Sequence, residues 1–142
     1  MRVLSILIFS LLLTFGLSAQ SIVGKWKTID DETGKVKSIV NIYLEGGELY
    51  GDILEIYPEP GDSKDPKCDK CTDYRKDKKI IGMQIITGLT KDGEEWKKDD
   101  GILDPKKGKI YDCKLWLEGN DKLAVRGYIG FFYRTQYWVR VK

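Results

Sequence analysis

Two cysteines separated by two residues are the feature of this sequence that most directly suggests chemistry. Cys68 and Cys71 lie in a long stretch without hydrophobic periodicity, residues 58–78. This spacing suits a local disulfide, a metal site or a redox-active pair. A closed metal site needs four donors, but the sequence has no histidine and one further cysteine, Cys113. Since a redox pair normally lies at the start of a helix, we predict a disulfide that stiffens the loop, with the metal and redox alternatives left open.

Polar side chains on otherwise apolar strands near the end of the chain form a second candidate site. We take as candidate ligand-binding residues Arg126, Tyr128, Arg134, Gln136 and Trp138. The last three share one face of a strand because they are separated by two positions. If that face points inward, a guanidinium and an amide beside aromatic rings would bind a polar or anionic group. Otherwise the core contains Thr135, Tyr137, Val139 and Val141, an orientation that the number of apolar residues slightly favours, and the polar groups are structural.

No arrangement of residues in the sequence indicates catalysis. The absence of histidine excludes the common nucleophile pairs and histidine metal sites. Paired carboxylates occur at Asp30/Asp31, Glu94/Glu95 and Asp99/Asp100, but adjacent residues in turns point in different directions and stay solvated. Neither a phosphate-binding loop nor a nucleophile elbow is present. We therefore predict a protein that is not an enzyme, with no catalytic residues, cofactor or metal.

The first nineteen residues differ from the rest and predict export. A basic residue, Arg2, precedes an apolar run over residues 3–17, which is shorter than the roughly 20 residues of a membrane span. This pattern is typical of a secretory signal peptide, residues 1–19, cleaved to leave no membrane span. We expect the remaining residues, 20–142, to form a single domain in the periplasm or outside the cell.

The remaining sequence alternates between apolar and polar residues with the period of β-strands. The predicted strands cover residues 22–29, 36–44, 49–57, 81–89, 95–97 or 101–103, 111–118, 123–129 and 131–141. Glycine, asparagine and aspartate between them favour hairpin turns. We predict an all-β fold of about eight antiparallel strands in an up-and-down barrel, which leaves no free edge, with a two-sheet β-sandwich as the alternative.

Several motifs, taken in order, resemble those of an exported bacterial family called domain of unknown function 2147. The motifs are Gly24-Lys25-Trp26, Ile81-Gly82-Met83, Thr87-Gly88-Leu89, Gly101-Ile102-Leu103-Asp104-Pro105, Gly108-Lys109-Ile110-Tyr111, Val125-Arg126-Gly127-Tyr128 and Arg134-Thr135-Gln136 with Trp138. The resemblance implies a lipocalin-like barrel and brings no established activity.

Gly24 and Trp26 also resemble the opening of lipocalins, in which a tryptophan plugs one end of the barrel and an arginine of the last strand stacks on it. That arginine would be Arg134 or Arg140 here. The same tryptophan is alternatively a residue that contacts ligand, so we include Trp26 among the candidate ligand-binding residues.

Composition and fold together indicate a binding module. The net charge of +2 argues against nucleic-acid binding, which normally needs a basic face. The expected function is an exported, monomeric barrel that holds a small hydrophobic or amphipathic molecule. The alternative is a structural or interaction protein of the cell envelope, with a filled barrel and a partner-docking loop at residues 58–78.

Overall fold

The computed structural model describes residues 21–142, and within that range every regular element is a β-strand. The predicted signal peptide, residues 1–19, lies outside the described residues. The strands are β1 (Gly24–Ile29), β2 (Val36–Glu45), β3 (Glu48–Ile56), β4 (Gln84–Asp92), β5 (Glu95–Asp104), β6 (Lys109–Leu117), β7 (Lys122–Ile129) and β8 (Phe132–Arg140).

Each strand pairs antiparallel with the next, and β8 returns to pair with β1 in a closed barrel. The prediction of an up-and-down barrel is therefore confirmed, and the alternative, a two-sheet β-sandwich, is not observed. The pairing of β1 with β8 is short, with only Trp26 opposite Arg140 and Lys27 opposite Val139. Closure gives every strand a neighbour on both sides, which is the physical advantage of this architecture, while the part of β8 before Val139 is not paired with β1.

The two ends of the barrel differ. At one end, here called the closed end, lie the β2–β3, β4–β5 and β6–β7 turns, together with the start of β1 and the end of β8. Arg140 donates from Nη2 to the carbonyl oxygen of Ser21 there, at 2.6 Å. At the other end, here called the mouth, lie the β1–β2, β5–β6 and β7–β8 turns and the long connection of residues 57–83.

Apolar side chains fill the half of the barrel nearest the closed end. The fully buried residues there are Trp26, Ile42, Leu49, Leu89, Leu115 and Leu123. They come from alternate positions of their strands, because successive side chains of a strand point to opposite faces. This half of the interior is thus a packed core, and open space begins above it.

Two strands depart furthest from their predicted limits. The fourth begins at Gln84 rather than at residue 81, because Gly82 has a φ of 88° and forms a turn before the strand. The sequence predicts a short strand at 95–97 or at 101–103, and both segments belong to one longer strand, β5, interrupted by a bulge. Asp100 has a φ of 53° in this bulge, and its backbone N–H donates to Oδ1 of Asp112 at 2.8 Å. Alternation could not show this continuity, because a bulge interrupts the period of two.

Candidate functional site

The half of the barrel nearest the mouth contains a cavity of about 800 Å³. Its apolar wall residues include Ile53, Ile56, Ile80, Ile85, Ile102 and Val125. Exposed residues of the mouth, such as Asp62 and Lys67, also line it, so the cavity reaches the surface. Its volume falls within the range of roughly 300–1,000 Å³ that is usual for small-molecule sites.

The inner face of β8 carries Arg134, Gln136 and Trp138, and all three line the cavity. Val125 of β7 lies opposite Gln136 in the sheet, and directly opposed residues point to the same face. The slight preference for Thr135, Tyr137 and Val139 inside was wrong: Tyr137 is 41% exposed and Val139 43%. The prediction chose the face of β8 with more apolar residues as the inner one. It failed because the outer face of this strand is also largely apolar.

Arg134 lies at the mouth and is bound to the β1–β2 turn. Its Nε donates to Oδ2 of Asp31 at 2.7 Å, and its Nη2 lies 2.5 Å from the same oxygen. The Asp31 carboxylate raises the pKa of the Arg134 guanidinium further above its usual value. The mouth therefore carries a permanently charged group held on one side of the cavity.

Trp138 lies deeper, between Gln136 and the core. Its side chain is 3% exposed, and its Nε1–H has no hydrogen-bond partner within residues 21–142. A buried donor left unpaired costs about 1–3 kcal/mol. The unsatisfied donor is buried behind the cavity wall, which the Trp138 ring helps to line.

Trp26 lies below the cavity and does not line it. The ring is fully buried, and Nε1–H donates to the carbonyl oxygen of Ile22 at 2.9 Å. The guanidinium carbon of Arg140 lies 4.3 Å from the ring centroid, so the stacking arginine is Arg140 and not Arg134. The arrangement implied by the lipocalin resemblance is present, with Trp26 as the plug of the closed end.

Arg126 and Tyr128 lie on the outer face of the barrel, away from the cavity. Nε of Arg126 donates to Oγ1 of Thr135 at 2.8 Å, and its guanidinium carbon is 4.2 Å from the ring centroid of Tyr133. The rings of Tyr128 and Tyr133 are 6.0 Å apart. The structure thus separates these two predicted site residues from Arg134, Gln136 and Trp138, because adjacent strand positions alternate between the faces.

The predicted disulfide between Cys68 and Cys71 is present, and both residues are buried. Sγ of Cys68 lies 3.4 Å from the carbonyl oxygen of Pro105, in the β5–β6 turn. The connection approaches this turn so closely that a Cβ atom on Gly108 would lie 2.0 Å from the carbonyl oxygen of Lys70. The loop is therefore fixed against the mouth rather than projecting from it.

An ion pair between a buried arginine and a half-buried aspartate anchors the same connection to β4. Arg75 is 5% exposed, and it donates from Nη2 to Oδ2 of Asp73 at 2.7 Å and from Nη1 to the carbonyl oxygen of Gln84 at 3.0 Å. Hydrogen bonds from the Arg75 side chain hold the pKa of the Asp73 carboxyl below its usual value. Sequence reasoning missed this anchor, because a charged residue within a run of mixed charges gives no signal of burial.

Sequence reasoning also missed the wall that the connection contributes to the cavity. Pro66 and Ile80 line it from residues 57–83, and Ile80 is 9% exposed. The available signal was weak, since each is an apolar residue within a polar segment. The connection of residues 57–83 therefore contributes side chains to the wall of the cavity in addition to covering part of the mouth.

The remaining ionisable groups offer little reactive chemistry. Cys113 is free and buried on the apolar face of β6, as predicted, and burial raises the pKa of its thiol to about 12. Residues 21–142 contain no cluster of three or more acidic or cysteine side chains arranged to hold a metal ion. Over the same range, no helix has the length and apolar character that crossing a membrane would require.

Comparisons with known proteins agree with this fold. A solved structure from Helicobacter pylori, described as belonging to the lipocalin family, superposes with a TM-score of 0.71 and 18% sequence identity, over 87% of this chain and 85% of that one. No curated protein matches the chain. Residues 24–140 match the family described as "Uncharacterized protein conserved in bacteria (DUF2147)", and the chain belongs to this family.

Proposed function

We propose that this protein is a binding module that holds one small apolar or amphipathic molecule inside its barrel. The observation that carries the proposal is the cavity of about 800 Å³ above the packed core. An eight-stranded barrel either fills its interior with side chains or encloses a small ligand. Here the half nearest the mouth is lined by side chains but not filled by them.

The lining indicates how such a molecule would lie. Its apolar part would pack against the isoleucines of the wall, where burial contributes about 25 cal/mol for each Å² of apolar surface. The Gln136 amide would offer hydrogen bonds to a polar group placed deep in the cavity. At the mouth, Asp31 engages Nε and Nη2 of Arg134, so further donors of the guanidinium remain for an anionic group.

We further infer that the protein acts in the periplasm or outside the cell as a monomer. The predicted signal peptide supports export, as does the disulfide, because such bonds persist in oxidising compartments. Barrel closure supports a monomer, since every strand has a neighbour on both sides and only the part of β8 nearest the mouth is not paired with β1.

A cavity-filling substitution tests the binding proposal. We expect the purified protein to bind a fluorescent long-chain fatty acid, and Val125→Phe to weaken that binding at least tenfold. Val125 is 5% exposed and lines the cavity, so a larger side chain there occupies the space of the probe. Val139→Phe is the matched control, because Val139 is exposed on the outer face of the neighbouring strand.

Circular dichroism of both variants would establish that the barrel is intact. Failure of the unmodified protein to bind any apolar probe, or equal binding by Val125→Phe, would refute the carrier function. Native mass spectrometry of protein isolated without organic solvent would identify a molecule already in the cavity.

A further inference from the structure

The tip of the β7–β8 hairpin, residues 129–132, presents large apolar side chains to solvent. Phe131 is 102% exposed, Phe132 80% and Ile129 64%. Phenylalanine and isoleucine are among the residues most often buried in soluble proteins, and burying one stabilises a protein by about 1.5–3 kcal/mol. A cluster of them at one tip therefore indicates a surface that another apolar phase covers.

The backbone of the tip leaves these side chains exposed at the rim of the mouth. Ile129 and Phe132 form the last paired position of the hairpin, and Gly130 has a φ of 56° in the two-residue turn between them. So short a turn has no further residues with which to fold back over its own side chains. Phe131, at the outermost position, has no contact that shields it from water.

Two lysines neighbour the tip at a mouth that is otherwise of mixed charge, since acidic side chains also line it: Asp30, Glu59, Asp62, Asp69 and Asp104. Lys106 and Lys107 belong to the β5–β6 turn, which neighbours the β7–β8 turn around the barrel. Both lysines line the cavity, as Ile129 and Phe132 do, so all four residues border the same opening. Apolar side chains beside lysines are the combination that favours the boundary between lipid tails and anionic headgroups.

We propose that this tip inserts into the surface of an anionic lipid membrane, with the mouth of the barrel facing the bilayer. Apolar faces bound at a membrane surface reach a depth of about 5–10 Å, and two or three extended residues, at about 3.3 Å each, span that distance. Phe131 and Phe132 enter the acyl boundary, while Lys106 and Lys107 meet the phosphate groups.

The exposed area favours a membrane over a second copy of the chain. With about 200 Å² for each aromatic side chain, the tip offers roughly 500 Å² of apolar surface. Each partner of a stable dimer buries about 800 Å². The tip is also convex, so a flat protein surface would cover only part of it, whereas lipid tails conform to its shape. If the proposed binding function holds, this orientation lets an apolar molecule pass between cavity and bilayer without entering water.

Vesicle flotation tests the proposal with protein purified from the exported fraction of cells that express the full chain, its N-terminus established by mass spectrometry. Vesicles contain equal parts of phosphatidylglycerol and phosphatidylcholine. We expect the unmodified protein to float with them and the double variant Phe131→Ser/Phe132→Ser to partition at least tenfold less. The double variant Lys106→Gln/Lys107→Gln should lose several-fold in affinity, and only with the anionic lipid.

The matched control is Leu44→Ser, because Leu44 is 49% exposed and lies towards the closed end. It should float like the unmodified protein, as should Val125→Phe, whose defect would be confined to the cavity. The proposal is overturned if unmodified protein stays with the soluble fraction or if the double phenylalanine variant floats equally well. It is also overturned if sedimentation without lipid shows a dimer that this variant dissociates.

Discussion

Arg140 stacks on Trp26, with 4.3 Å between the guanidinium carbon and the ring centroid, and so joins the last strand to the first. The same guanidinium donates to the carbonyl oxygens of Ser21, Val23 and Asn120. One side chain thus satisfies three backbone acceptors while covering the indole that plugs the closed end. Its contribution to stability is therefore larger than its partial exposure suggests.

The substitution Arg140→Met should lower the free energy of unfolding by about 3 kcal/mol, through loss of the cation–π contact and of the charged hydrogen bonds. Methionine retains much of the apolar stem, so the loss reports on the guanidinium. Urea denaturation measures it. The control Arg134→Met breaks one exposed ion pair, worth about 0–1 kcal/mol. If both variants lost the same free energy of unfolding, the contacts of Arg140 with Trp26 and the backbone would contribute no more than an exposed ion pair.

The pair of Asp73 with the buried Arg75 should contribute more than the pair of Asp31 with the exposed Arg134. We expect Asp73→Asn to cost about 2–4 kcal/mol, because it leaves the Arg75 charge buried without its partner, and Asp31→Asn to cost at most about 1 kcal/mol. Urea denaturation compares the two. Limited proteolysis should also cut residues 57–83 faster in Asp73→Asn.

The lowered pKa of Asp73 gives this pair a pH dependence with a definite sign. Its contribution is complete above the unfolded pKa of about 3.9 and is lost as the pH falls towards the lower folded value. Unmodified protein should therefore lose stability in that acid range, and Asp73→Asn should lose less. Identical acid profiles would contradict the assignment.

Substitution of Gly108 and of Gly119 distinguishes two costs of adding a side chain: backbone strain at positive φ, and a clash with a neighbouring segment. Both have positive φ, 66° and 77°, but a Cβ on Gly108 would strike the backbone of Lys70, whereas nothing lies within 4 Å at Gly119. Gly119→Ala should cost about 1–2 kcal/mol from backbone strain alone. Gly108→Ala should cost at least about 3 kcal/mol and should release residues 57–83 to proteases. Similar costs would mean that the loop moves aside freely.

Cys113 should make stability fall at alkaline pH. Burial raises its thiol pKa from 9.0 to about 12, so above pH 9 the unfolded chain ionises this group while the folded barrel does not. The unfolded state then binds fewer protons, and the free energy of unfolding decreases by up to about 1.4 kcal/mol per pH unit relative to Cys113→Ala. Parallel alkaline profiles for the two proteins would contradict this.

Thiol titration examines the same residue by reactivity. Native, unreduced protein should show no accessible thiol, and denaturation should release one, since Cys68 and Cys71 are joined. Two reactive thiols before denaturation would show that the disulfide does not form in the cell.

Strand number, closure and the disulfide were predictable because alternation, turn residues and cysteine spacing are local signals. The sequence also contains enough information to predict which face of β8 points inward. A two-residue turn at residues 130–131 pairs Val125 with Gln136 and Leu123 with Trp138. Because opposed residues point to the same face, the apolar face of β7 predicts that Gln136 and Trp138 point inward. The number of apolar residues on each face of β8 alone does not give this result.

Other features depend on contacts that local patterns do not encode. The bulge in β5 places Gly101 where a Cβ would lie 2.8 Å from Sγ of Cys113, a residue of the next strand. The burial of Arg75 depends on the carbonyl oxygen of Gln84 becoming available at the start of β4. Both features depend on contacts between residues of different segments, so the local pattern of one segment cannot predict them.

The brevity of the β1–β8 seam has a kinetic consequence. Its partners, Trp26 and Arg140, are far apart in the chain, so they meet only after the intervening hairpins have assembled, and loop closure delays this contact more than any local one. Closure of the seam is then the final step of folding. In the native protein the amide hydrogens of Lys27 and Val139 would exchange with solvent through brief separations of this seam, ahead of those in β6 and β7, whose registers run for six positions.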